Sequence, residues 1–125
     1  MPVPILKQGK YLIASVQSAL SDREVLELQE RLLDLVGKHR ARGVIIDVGA
    51  MDVIDTFATR SFRTVVHTTK LRGAETVIVG IQPAVAFAMV RFGLRMDDVH
   101  TALDLEEGIA LLDDLTDRAG VTDER

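Results

Sequence analysis

Short apolar runs rich in β-branched residues alternate with longer amphipathic segments, and this alternation constrains the fold more than any other feature. Val44–Val48 and Thr76–Val79 are the clearest such runs. A compact β-branched run of this length is typical of a strand covered on both faces. Because amphipathic segments precede and follow these runs, the chain is predicted to form a mainly parallel sheet in an α/β fold.

The first forty residues predict a hairpin followed by a helix. Val3–Leu6 and Tyr11–Val16 flank a Gln-Gly pair, which predicts two strands joined by a turn and makes the sheet mixed. Ser21, with Glu24 three residues later, forms a capping-box pattern. Apolar residues recur at helical spacing from there to His39.

Three further helices are predicted. The second spans roughly Thr56 to Leu71, and the third, Ala84–Phe92, is apolar on nearly every face. A helix of that kind is either buried or in contact with a partner, and we expect partner contact, as in a homodimer. Asp104 with Glu107 predicts the start of the last helix.

Composition limits the classes of function. The 125 residues suit a single domain, 1–125, with a core of about 3–117 and a polar tail, 118–125. A formal net charge of −4 disfavours a nucleic-acid binder, and the absence of cysteine excludes thiol chemistry and thiolate metal sites. No signal peptide or membrane-length apolar run is present, so a cytoplasmic protein without membrane contact is expected.

The histidines, and the aspartates at and after the end of the run Val44–Val48, favour structural roles. His39, His67 and His100 are scattered, without the spacing of a metal site. Asp47 and Asp52 stand near the end of that run, where carboxylates can hold Mg²⁺. Capping by Asp55, with Asp52 facing solvent, is favoured over metal binding by about three to one.

Thr56 follows the predicted cap, on the helix face opposite the apolar stripe, together with Arg60, Arg63 and His67. A phosphate there would be favoured by the helix N-terminus by about 0.3–1 kcal/mol and opposed by Asp55 by about 1.4 kcal/mol. Arg60, four residues on, would offset part of that repulsion. From spacing alone, an unmodified threonine on a solvated face is favoured by about two to one.

Four segments carry a family resemblance: PILKQGKYLIASVQ, GVIIDVGAMDVIDTFATR, KLRGAETVIVGIQPAVA and TALDLEEGIALL. Over roughly residues 3–117 the chain resembles the STAS domain of anti-sigma-factor antagonists. The I-D-[ST]-F turn and the G-I-Q-P-A-V-A segment are similar to the branch of RsbS and RsbR stressosome proteins. The resemblance implies a mixed sheet with helices packed on one side, no catalysis and no cofactor or metal.

The resemblance also implies a phosphorylation switch at Thr56, with Asp55 preceding it. Its implied partners are an RsbT-type serine/threonine kinase, RsbR-type STAS paralogues in a large assembly, and a phosphatase that resets the switch. RsbS proteins usually carry serine at this position, and threonine adds a methyl group that stiffens χ1.

The leading hypothesis is therefore a non-enzymatic stressosome scaffold in which Asp52, Asp55, Arg60 and Arg63 flank the switch at Thr56. A stand-alone anti-anti-sigma factor is the nearest alternative. A nucleotide-binding or other small-ligand domain with a crevice near Asp47, and a Mg²⁺-dependent phosphotransfer enzyme built on the aspartates, are the others.

Overall fold

The computed structural model describes residues 2–123, with the side chains of residues 2–95 and 97–117. Within that part of the chain the structure has five strands and four helices, and the four predicted strands and four predicted helices occur in the predicted order. They are β1 (Ile5–Gln8), β2 (Tyr11–Ser15), α1 (Asp22–His39), β3 (Gly43–Asp47), α2 (Thr56–Leu71), β4 (Glu75–Val79), α3 (Pro83–Arg91), β5 (His100–Ala102) and α4 (Leu105–Asp123). A short 3₁₀ turn, Met96–Asp98, precedes β5.

The strands form one mixed sheet in the order β1-β2-β3-β4-β5. β1 and β2 pair antiparallel, and the remaining neighbours pair parallel. The predicted hairpin and mainly parallel sheet are thus confirmed. Because β2 to β5 run in the same direction, their carboxyl ends and the loops that follow them gather at one edge of the sheet.

Helix α1 begins as its sequence predicts. The Ser21 hydroxyl accepts a hydrogen bond from the Glu24 backbone N–H at 3.2 Å, and the Glu24 carboxylate accepts one from the Ser21 N–H at 3.0 Å. The bond from the Ser21 backbone is the main cause of a lowered pKa for Glu24, because it stabilises the charged form. These reciprocal bonds satisfy two N–H groups that a helix start otherwise leaves unpaired.

Two cores, one on each face of the sheet, hold the domain together. Strand residues alternate between faces, so Ile46 and Ile78 join the core beneath α1, α2 and α3. Ile45 and Val77 point the opposite way and pack with Leu112 of α4. The prediction that the helices pack on one side is therefore wrong for α4, because the second apolar face of β3 and β4 also has to be covered.

The close approach of α4 to the sheet depends on Gly108. A Cβ added there would lie 2.7 Å from Cγ1 of Val79, a distance that side chains do not tolerate. Helix α4 continues to Asp123, beyond the predicted core limit at Asp117. The predicted tail, residues 118–125, lies outside the described side chains, and its last two residues lie outside the described chain. No helix within residues 2–123 is long and apolar enough to cross a membrane.

Candidate functional site

The loop between β3 and α2 carries the predicted site to the carboxyl edge of the sheet. Its first part is anchored, because Val48 donates a backbone hydrogen bond to Val79 O at 3.0 Å and Met51 is buried. Its second part is exposed, including Asp52, Asp55 and Thr56. The loop therefore presents the acidic residues and the threonine from a fixed base.

A second loop, between β4 and α3, braces the first. Gln82 donates from Nε2 to Gly49 O at 2.9 Å, and Asp47 accepts from Gly49 N at 3.0 Å. Gly80 has a φ of +74°, and a Cβ there would lie 3.2 Å from the Gly49 Cα. The two loops thus meet backbone to backbone, and the Asp47 carboxylate is engaged in holding the first of them.

Asp55 is the N-cap of α2, as predicted. Its Oδ1 accepts from Ala58 N at 2.8 Å, and its carbonyl oxygen accepts from the Thr59 hydroxyl at 2.9 Å. The first bond satisfies a backbone N–H that the helix start would otherwise leave unpaired. The second bond orients the Thr59 hydroxyl. Thr56 is consequently the first residue of the helix, with its position set by the cap.

We expect Asp55→Ala to lower the free energy of unfolding by about 1 kcal/mol, the usual contribution of an N-cap side chain. The matched control is Asp52→Ala, which removes an exposed carboxylate of the same charge from the same loop without removing the cap. Urea unfolding of both variants measures the difference. Equal losses in the two variants would contradict a capping role for Asp55.

Among the hydroxyls of α2, that of Thr56 combines exposure with freedom from hydrogen bonds. Thr59, Ser61 and Thr69 are buried, Thr68 is half-buried, and Thr64 is exposed but donates to Arg60 O at 3.1 Å. Within the described residues the Thr56 hydroxyl has no hydrogen-bond partner. The Thr56 oxygen is therefore open to solvent and not engaged by another group of the described chain.

Two apolar side chains flank Thr56, and sequence reasoning missed them. Val53 is 59% exposed and Phe57 is 38% exposed. Exposed apolar groups beside a polar site are typical of a surface that another protein covers. The available signal was that Phe57 falls outside the apolar stripe of its own helix.

Of the basic residues predicted to share the exposed face of α2 with Thr56, only some are available for docking. Arg60 is exposed and, within the described residues, its guanidinium makes no hydrogen bond or ion pair. Arg63 is half-buried and donates from Nη1 to Gly93 O at 3.2 Å, so it ties α2 to the turn after α3. His67 lies 3.4 Å from an Asp98 carboxylate oxygen. Arg60 is thus the cation of this face that remains free for a ligand.

The described residues do not gather a metal site. No group of three or more histidine or acidic side chains within them is placed to hold an ion. His100 instead faces Glu75, with 3.2 Å between Nε2 and Oε2. A cavity of about 720 Å³ lies between α3, β5 and the start of α4, and Asp47 is not part of its lining. The described residues therefore lend no support to a magnesium centre at the aspartates.

Comparison with known protein families matches residues 3–108 to the STAS domain. RsbRA of Bacillus subtilis (strain 168), an RsbT co-antagonist protein, is 33% identical over 91 residues, which cover 73% of this chain and 33% of RsbRA. The chain spans about a third of the length of the curated relatives it matches.

Solved structures agree with the sequence match. A Ser-to-Glu variant of RsbS from Moorella thermoacetica superposes with a TM-score of 0.83 at 33% identity, over 91% of this chain and 97% of that one. A chain from the stressosome, a signal integration and transduction hub, gives a TM-score of 0.75 at 32% identity, over 90% and 98%. The anti-sigma factor antagonist SpoIIAA, at 10% identity and a TM-score of 0.67 over 94% and 96%, shares the fold. The chain therefore belongs to the STAS domain family and is similar to its RsbS and RsbR stressosome members.

Proposed function

We propose that this protein is a non-enzymatic scaffold and antagonist in a stressosome-type assembly of the cytoplasm. In its unphosphorylated form it binds a switch serine/threonine kinase, and phosphorylation of Thr56 releases that kinase. The observation that carries the proposal is the exposed, unbonded hydroxyl of Thr56 at the first residue of α2. Similarity to RsbS and to a stressosome chain supports it.

The proposed partners follow from the same similarities. The kinase is of the RsbT type, because RsbRA is an RsbT co-antagonist protein. STAS paralogues of the RsbR type complete the assembly, and a phosphatase restores the hydroxyl at Thr56. The docking surface consists of the exposed apolar residues Val53 and Phe57, with Asp52, Asp55 and Arg60 around them. No cofactor is required.

The switch acts through charge. The kinase transfers the γ-phosphoryl group of ATP to the Thr56 oxygen, ADP leaves, and the hydroxyl proton passes to a base of the kinase. The product places a phosphate beside Asp55 and four residues before Arg60. The helix N-terminus and Arg60 attract it and Asp55 repels it, so the stability of α2 changes little. The docking surface, by contrast, gains about two negative charges next to its apolar residues.

A labelling experiment tests the site. The purified protein is incubated with an RsbT-type kinase and radiolabelled ATP, and the labelled peptide is mapped. We expect the label at Thr56 and its loss in Thr56→Ala. The matched control is Thr64→Ala, an exposed threonine of the same helix, which should label like the wild type.

The same assay reports on Arg60. Arg60→Ala should label more slowly if the guanidinium belongs to the docking surface, and an unchanged rate would remove that role. Label that survives Thr56→Ala, or disappears equally in Thr64→Ala, would overturn the site assignment.

A stand-alone antagonist of an anti-sigma-factor kinase would use the same hydroxyl. The two functions differ in their partners, so the native mass of the protein mixed with an RsbR-type STAS protein separates them. Co-assembly is expected for the scaffold, whereas the stand-alone antagonist remains apart.

A further inference from the structure

Helices α2 and α3 differ in charge from α4. Helices α2 and α3 contain no acidic residue, although the chain as a whole has a formal net charge of −4. The α4 segment of 19 residues carries acidic side chains along its length and a single arginine. Helix α1 lies on the same side of the sheet as α2 and α3 and carries five acidic residues, so the contrast in charge is between α2 and α3 on that side and α4 on the opposite side.

Helix α3 also carries apolar side chains that the core leaves uncovered. Phe87 is 68% exposed and Val90 is 63% exposed, and their spacing places them with Arg91 on one face of α3. The Arg91 guanidinium lies 6.0 Å from the centre of the Phe87 ring. The Arg95 side chain is 75% exposed and lies 3.8 Å from a carboxylate oxygen of the exposed Asp97, a surface ion pair of small energetic weight. We call Phe87, Val90, Arg91 and Arg95 the α3 face.

Helix α4 offers a matching acidic stripe. Glu106, Ala110, Asp113 and Asp117 are all exposed, and intervals of four, three and four residues keep them on one side of α4. Asp113 also accepts a hydrogen bond from the Tyr11 hydroxyl at 2.6 Å, which holds its carboxylate in place. Ala110 leaves a shallow position between the carboxylates. We call this stripe the α4 face.

We propose that the α3 face of one copy docks on the α4 face of a second copy. Phe87 and Val90 would cover the shallow position at Ala110, while Arg91 and Arg95 would pair with the carboxylates on either side. A second copy is the occupant because this chain itself presents both complementary halves.

The contact is head to tail, because its two halves lie on opposite faces of the sheet. Such heterologous contacts leave one α3 face and one α4 face free at the ends and therefore extend beyond a dimer unless a ring closes. The inference deepens the assembly part of the proposed function and rests on it for its biological role. It does not involve the kinase or Thr56, so its failure would leave the switch proposal standing.

Sedimentation velocity of the full chain over a range of concentrations tests the contact with three charge-reversal variants. Arg91→Glu with Arg95→Glu reverses the α3 face, and Glu106→Lys with Asp117→Lys reverses the α4 face. The third variant combines all four substitutions and so retains the formal net charge of −4 while exchanging the signs of the two faces.

The wild type should form concentration-dependent species larger than a dimer, or a closed ring, at about 0.1 M salt and dissociate at about 1 M, where the Debye length falls from about 10 Å to about 3 Å. Each two-residue variant should be monomeric, and the four-residue variant should associate again.

A wild type that stays monomeric would overturn the proposal. Self-association that persists when only the α4 face is reversed would indicate a symmetric α3–α3 dimer and would also overturn it, as would a four-residue variant that fails to associate while remaining folded by circular dichroism.

Discussion

Thr56→Glu is expected to weaken binding of the RsbT-type kinase at least about tenfold, which corresponds to about 1.4 kcal/mol. The substitution places a fixed negative charge between the exposed Val53 and Phe57 and next to Asp55. Docking would have to remove water from that carboxylate, and the first cation along α2, Arg60, lies one helical turn further on. Isothermal titration calorimetry of the purified protein against the kinase measures the change.

Two variants control for charge and for side-chain shape. Thr64→Glu adds the same charge at an exposed position two turns further along α2 and should leave the affinity within a few-fold of wild type. Thr56→Ser keeps the hydroxyl and should bind like the wild type. Equal weakening by the two glutamate variants would mean that net charge, rather than the position at the helix start, controls binding.

Phe62→Ala is expected to lower the free energy of unfolding by about 3–5 kcal/mol, the range for truncating a buried phenylalanine. Phe62 is 2% exposed and belongs to the core beneath α1 and α2. The packing of this ring holds the apolar side of α2 on the sheet and thereby keeps Thr56 on the solvent side. Urea unfolding followed by circular dichroism gives the difference.

Phe87→Ala is the matched control because it deletes the same atoms from a ring that is 68% exposed. Its free energy of unfolding should change by less than about 0.5 kcal/mol. The same variant should weaken self-association if the α3 face docks as proposed. A stability loss as large as that of Phe62→Ala would show that Phe87 is buried in the solution state.

Local sequence patterns predicted where α1 and α2 begin, because a helix start depends on side chains within about three residues of it. Ser21 with Glu24 and Asp55 with Ala58 form the expected bonds. The pattern also predicted that Thr56 lies opposite the apolar stripe, since helical periodicity alone decides which side of α2 is buried.

The placement of α4 and the contacts of Arg63 were not predictable in the same way. Nothing in a strand's own sequence says which helix covers each face, and α4 reaches its position only because Gly108 permits close contact with Val79. Arg63 shares a helical stripe with Arg60, yet it is engaged by Gly93, a residue thirty positions away that tertiary packing brings alongside.

The sequence by itself thus determined the α/β class, the mixed sheet, the capped start of α2 and the exposure of Thr56, because each depends on the period and chemistry of neighbouring residues. Only the tertiary structure decided which cations remain free, which apolar side chains flank the threonine, and that α4 lies opposite α2 and α3. Those properties depend on contacts between segments far apart in the chain, and such contacts arise when both faces of the sheet are covered.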